Sequence, residues 1–83
     1  MLRIAASHGA HHVRVFGSVA RGDATPTSEI DLLVELDPDR SLLDHAALKP
    51  AVEGLLGRTV DVMTEKALHW DVRDRVLTEA VAL

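Results

Sequence analysis

From Glu29 to Leu36 the side chains alternate, with Ile30, Leu32, Val34 and Leu36 on one side and Glu29, Asp31, Leu33 and Glu35 on the other. A period of two is the signature of a β-strand. The first side is apolar throughout, and Leu33 makes the second partly apolar, so the pattern predicts a strand over 29–36 with one face in the core and the other partly covered. A second alternation runs from His12, with Val13 and Val15 opposed to His12, Arg14 and Phe16, and stops at Gly17. A third, Thr59 to Met63, sets Val60 and Val62 against Thr59, Asp61 and Met63.

Between these runs the spacing lengthens to that of helices. Leu2 to His8 predicts two turns that Gly9 can end in a left-handed conformation. Ser18 to Arg21 predicts a short helical turn, and Gly22 to Ser28 is built of surface-loop residues. After the turn at Asp37-Pro38-Asp39, Ser41 with Asp44 three residues on predicts a helix start, the hydroxyl capping an amide and the acid favouring the positive helix end. Leu42, Leu43, Ala46, Ala47, Ala51, Val52, Leu55 and Leu56 continue that helix as far as Gly57. Pro50 lacks the amide that would bond back to Ala46, which predicts a kink or restart. Asp71 to Ala82 predicts a closing helix packed through Val72, Val76, Leu77 and Ala80. The order β, short α, β, α, β, α places residues 1–83 in the α/β (α+β) class, as one domain with a small three-stranded mixed sheet and helices mainly on one face.

Composition narrows the chemistry. The 83 residues suffice for one modest core but not for a separate substrate-binding domain, so whatever the chain acts on must largely come from outside. The absence of cysteine excludes a disulfide framework, a thiolate metal site and a Cys nucleophile. A formal charge of -4 opposes wrapping a phosphate backbone, and direct nucleic-acid binding is not expected. No apolar run approaches the roughly 18–20 residues needed to cross a bilayer, and Met1-Leu2-Arg3 begins no leader, so a soluble cytoplasmic protein without membrane contact is expected.

Within that frame the acids stand out. Glu29 and Asp31, two residues apart on one strand, point the same way with Cα atoms about 6–7 Å apart. If the third strand lies beside the second, Asp61 can join them from the same face. Carboxylates of this kind suit magnesium, which prefers hard oxygen ligands and keeps several waters. Phosphoryl and nucleotidyl transfer need such ions to neutralise phosphate charge. At Gly17-Ser18 the glycine lets a phosphate approach the backbone, the serine hydroxyl can donate to it, and the following helix start offers free amides. Arg21, one turn on, can add a charge-assisted bond. Turn and acids together predict a nucleoside triphosphate site.

Gly17-Ser18, ten intervening residues, acid-x-acid at Glu29 and Asp31, then "LLVEL" and later "VDV" around Asp61 resemble the minimal nucleotidyltransferase (MNT) family of the DNA polymerase β-like superfamily. The similarity extends through "GSVARG", "SEIDLLVEL", "SLLD", "LLGRTVDVMTE" and "VRDRVLTEAV", nearly the whole chain. The resemblance implies a nucleotidyltransferase-like fold, phosphate binding by Gly17 and Ser18, metal binding by positions 29 and 31, and Asp61 as the third acid. It implies Mg2+ and ATP, and an antitoxin that transfers AMP to a tyrosine of a partner HEPN-domain RNase toxin. The partner would then supply the acceptor that so short a chain lacks. The family has aspartate at both metal positions, whereas this chain has Glu29. One added methylene moves a carboxylate by roughly 1–1.5 Å, and misplacements near 1 Å can cost on the order of 100-fold in rate. A catalytically weakened chain that neutralises its toxin by binding alone is therefore the alternative expectation.

Other polar features have plainer readings. Gly9 separates His8 from His11 and His12, and no fourth ligand is nearby, so solvated histidines are expected rather than a metal site. Trp70 is assigned to the core rather than to an interface, and Arg73-Asp74-Arg75 to a solvated helix face.

Overall fold

The computed structural model describes residues 1–40 and 42–83. Four strands, β1 (Ala10–Phe16), β2 (Ile30–Leu36), β3 (Val60–Thr64) and β4 (Val81–Ala82), alternate with four helices, α1 (Leu2–Ser7), α2 (Gly17–Arg21), α3 (Leu42–Leu56) and α4 (Trp70–Glu79). A 3-10 turn, Glu65–Ala67, precedes α4. The sheet runs β3-β2-β1-β4. β1 is antiparallel to β2 and to β4, while β2 and β3 are parallel across the α3 crossover. The cap expected at Ser41 lies outside the described residues.

The alternation in β2 sorts its residues as the pattern requires. Leu32 and Val34 enter the main core with Ala10, Val13 and Val15 of β1, Val60 of β3, Ala5 of α1 and Leu48 and Val52 of α3. Leu33 points the other way, into a smaller cluster with Leu68 and Val76, flanked by Phe16, Met63, Leu77 and Ala80. The main helical layer thus covers one face, and α4 covers part of the other. Ala10 and Val13, three residues apart, reach the same face because β1 bulges between His11 and Arg14. His12 takes a positive φ of 50° there, the local twist by which a bulge re-aims a strand.

Four expectations are corrected. The sheet has four strands rather than three: the closing helix ends at Glu79, Ala80 turns extended (φ -64°, ψ 137°), and Val81–Ala82 pair with Val15 and Arg14 of β1. Backbone groups along the free edge of β1 are satisfied better by a strand than by another helical turn. α3 runs through Pro50 as one helix rather than restarting there, since Pro50 and Ala46 both face solvent and water can meet the carbonyl that proline leaves unbonded. The buried face of α3 is carried by Leu48 and Val52, both 1% exposed, whereas Leu43 and Leu55 are 80% and 50% exposed. Trp70, expected in the core, is 80% exposed.

Candidate active site

The antiparallel register places Phe16, the last residue of β1, opposite Asp31 at the start of β2. The chain then turns at Gly17 with φ +73° directly against the Asp31 side chain. A Cβ at this position would collide with Asp31 Oδ2. Glycine is required here twice, once for the left-handed backbone and once for the space that the carboxylate occupies.

On the other side of β2, the parallel register pairs Asp31 with Asp61, so the two side chains leave the same face from strands about 4.8 Å apart. β2 starts at Ile30, one residue later than alternation predicts, so Glu29 lies just before the strand and is exposed. Carboxylate oxygens of Glu29, Asp31 and Asp61 nevertheless lie within 4.8 Å of one another. Ligand oxygens around one octahedral magnesium ion are roughly 3–4 Å apart, so this hard, all-oxygen set suits such an ion after small side-chain adjustments. Burial pushes the Asp31 carboxyl above its ordinary value of 3.8, and the neighbouring Asp61 and Glu29 carboxylates push it further, against a partial pull from Arg21. Like charges held this close favour a cation between them.

Ser18 is the second residue of α2, whose N-cap is Phe16 without a side-chain cap bond. Its hydroxyl is therefore not spent on capping and makes no hydrogen bond among the described residues. Arg21 is less available. Its Nη1 donates to Glu79 Oε1 at 2.6 Å and its Nε to Asp23 Oδ2 at 3.3 Å. The structure thus brings Glu29, Asp31 and Asp61 together beside Gly17, with Ser18 next in the chain and Arg21 one turn on but engaged.

Arg58 is a residue that the sequence did not single out. Its Nη2 donates to the carbonyls of Ser28 at 2.5 Å and Thr25 at 3.0 Å, gripping the loop whose next residue is Glu29. Ile30 N–H also donates to Thr59 O at 3.0 Å, and Glu53 of α3 accepts from Val60 N–H at 2.9 Å. The starts of β2 and β3 are thereby tied to each other and to the crossover helix. A lone arginine before a strand carries no pattern that would reveal this role.

Among the described residues the histidines are engaged separately. His8 Nδ1 donates to Ile4 O at 2.9 Å, His11 lies between Glu35 and Asp37, and His12 faces Glu35. A separate cavity of about 560 Å³, lined by His11, Pro38, Arg40, Glu65 and Arg73 among others, sits at the C-terminal ends of β2 and β3, opposite the acids.

Residues 6–83 match the model of the nucleotidyltransferase domain family, and the chain belongs to that family. It is 43% identical over 81 residues, 98% of this chain and 87% of the other, to a Methanocaldococcus jannaschii protein provisionally named protein adenylyltransferase MJ0435. A solved structure described as a minimal nucleotidyltransferase superposes with a TM-score of 0.88 at 55% identity, over 99% of this chain and 84% of that one. A structure described as a toxin-antitoxin with AMP-PNP shares the fold with a TM-score of 0.80 at 17% identity, over 96% of this chain and 66% of that one.

Proposed function

We propose that residues 1–83 act as one minimal nucleotidyltransferase domain, a magnesium-dependent antitoxin that transfers AMP from ATP to a tyrosine hydroxyl of a partner HEPN-domain RNase toxin. The observation that carries this reading is the convergence of Glu29, Asp31 and Asp61 beside Gly17-Ser18. The name of the 43% identical relative supports the protein acceptor, and the toxin-antitoxin neighbour with its AMP-PNP supports the partner and the nucleotide.

In this reading Glu29, Asp31 and Asp61 hold the metal, which when bound neutralises charge on the α-phosphate and the departing pyrophosphate. The missing Cβ of Gly17 leaves room for the Asp31 carboxylate beside the turn, and the free Ser18 hydroxyl donates to a phosphate oxygen. The acceptor oxygen bonds to the α-phosphorus, the bond from that phosphorus to the bridging oxygen breaks, and pyrophosphate leaves. The hydroxyl proton passes to a carboxylate oxygen of Asp61. The acceptor comes from the partner, for which exposed Trp70 and Leu43 offer apolar contact area.

The alternative is an antitoxin that works by contact alone, favoured by Glu29 standing where the family motif has aspartate. The two readings separate when the chain is incubated with α-labelled ATP, magnesium and its toxin. Catalysis predicts label on the toxin, reduced more than about 100-fold by Asp31→Ala, since even outer-shell changes at metal sites cost 10–100-fold. Neutralisation of the toxin with no label from this chain, and label only after Glu29→Asp, would establish the contact reading instead.

A further inference from the structure

The sheet ends differently on its two sides. β4 closes one side with two residues, Val81–Ala82, too short an edge to recruit another strand. β3 forms the opposite edge and offers five residues, Val60–Thr64, in unbroken register with β2. Two contacts fix which of them face β2 and which face outward, since alternate residues of a paired strand turn their backbone groups to the same side. Ile30 N–H donates to Thr59 O at 3.0 Å, whereas Val60 N–H donates away from the sheet, to Glu53 Oε2 of α3 at 2.9 Å. Thr59, Asp61 and Met63 therefore bond inward to β2, and Val60, Val62 and Thr64 turn their backbone groups out. Glu53 covers only the first of these. Among the described residues no loop and no side chain bonds the backbone of Val62 or Thr64, so the edge stands open directly beside Asp61.

Backbone pairing and side-chain direction act together at this edge. Residues directly opposite one another in neighbouring strands send their side chains to the same face. A strand added to β3 would send the residues opposite Asp61 and Met63 to the acid side, and the residue opposite Val62 to the α3 side. On the acid side, carboxylate oxygens of Asp61 lie within 4.8 Å of those of Glu29 and Asp31. Met63, two residues along the same face, is half-buried and presents a thioether, a favourable neighbour for an aromatic ring. On the other side, Leu56 follows Glu53 by three residues, which puts both on one side of α3, and it is 37% exposed. The open edge thus has acids and a thioether along one flank and apolar surface along the other.

We propose that β3 receives the acceptor as an added strand: an extended segment of the partner protein pairs with Val62 and Thr64, and a tyrosine on that segment carries its hydroxyl to the acids. This assignment rests on reading the acids as the site of AMP transfer. Strand addition draws its affinity from main-chain hydrogen bonds and its specificity from alternate side chains, which is how a chain without a separate substrate domain can hold a protein acceptor. From the position opposite Met63, a tyrosine ring spans the diagonal of roughly 7–8 Å towards Asp61. Its oxygen then bonds to the α-phosphorus as pyrophosphate leaves, and its proton passes to Asp61, the acid carried by the very strand that the segment pairs with. A second copy of these 83 residues does not fit as the occupant, because they include no tyrosine.

The test follows labelled AMP from ATP, with magnesium, to the toxin and to a seven-residue peptide with one tyrosine among valines and threonines. Val62→Pro removes an outward N–H and leaves the bonds to β2 in place, the one setting in which a strand tolerates proline. It should lower transfer to the toxin about tenfold, the scale of one lost hydrogen bond, with ATP binding unchanged. Val62→Ala trims the side chain but keeps the N–H, and should transfer at close to the parent rate. With the parent chain, methylating every second amide nitrogen of the peptide should stop its labelling, while methylating the intervening ones should not. Full transfer by Val62→Pro, equal losses in Val62→Pro and Val62→Ala, or peptide labelling that ignores which amides are methylated would each overturn strand addition. So would a peptide left unlabelled by a chain that labels the toxin. If Val62→Pro loses ATP binding as well, the peptide alone decides. Where the toxin is labelled and Asp31→Ala abolishes that label, only the docking mode falls. If the parent chain labels neither toxin nor peptide, the transfer reading falls and strand addition falls with it.

Discussion

The two sides of β2 are built from interleaved residues of one strand, yet they do opposite things. Leu32 and Val34 vanish under α1 and α3, at 2% and 1% exposure, and contribute to stability in the ordinary way of apolar burial. Asp31, between Ile30 and Leu32, points to the other side, where its carboxyl is raised by burial and by two like charges. Such a site is unfavourable to the metal-free chain, and the packed side must offset it. Only Leu33, fully buried against Leu68 and Val76, anchors the acidic side. The division teaches that register is set by the face without chemistry, which leaves the other free to hold groups that would not choose to be neighbours.

That division can be broken from either side. Leu48→Ala, on the packed face, should cost about 2–5 kcal/mol of unfolding free energy, seen as a lower denaturant midpoint, with metal and nucleotide affinity kept at temperatures where the variant is folded. Gly17→Ala should cost less stability, about 1–2 kcal/mol for the left-handed backbone, but displaces Asp31 and should abolish magnesium-dependent nucleotide binding. Arg58→Ala should raise the magnesium needed for half-maximal nucleotide binding about tenfold, as expected when a support of a metal ligand is lost, while moving the melting temperature by only a few degrees.

The smallest effect concerns Glu65, whose oxygens face Arg14 at 2.8 Å and Arg73 at 3.7 Å. The hydrogen bond from Arg14 lowers its pKa from the ordinary 4.5. A carboxyl lowered in the folded state adds stability above its ordinary value and loses it as pH falls through the lowered one. Melting temperatures measured from about pH 6 down to pH 3 should therefore fall less steeply in Glu65→Gln than in the parent chain. Identical slopes would show that the Arg14 contact contributes nothing at equilibrium.

Much of this was legible in the residues. Alternation in 29–36 separated core from acids, and Gly17-Ser18 marked the turn beside them. Asp61 was a candidate on the condition that the third strand lies beside the second, and the parallel register meets that condition. What the pattern missed has physical causes. Two residues, Val81 and Ala82, are too few to show a period, and the helical spacing of Val72, Val76 and Ala80 runs into them. α3 carries apolar residues around much of its circumference, so spacing alone could not choose between Leu43 or Leu55 and Leu48. The bulge at His12 is a backbone event with no glycine to announce it. Arg58 acts through hydrogen bonds to two carbonyls, groups that every residue possesses. The catalytic standing of Glu29 is a matter of about one methylene of reach, below what sequence spacing resolves.

The pairing of Asp31 with Asp61 has a further consequence, for how the protein comes together. Glu29 and Asp31 are near each other in any chain that makes β2, but Asp61 arrives only after the long segment containing α3 has folded back and docked β3 in register. A cation that needs all three carboxylates therefore binds only after β3 has paired with β2. By mass action its affinity is added to the free energy of closing that crossover. The ion would then act as an inspector of assembly, favouring chains in which that crossover is closed.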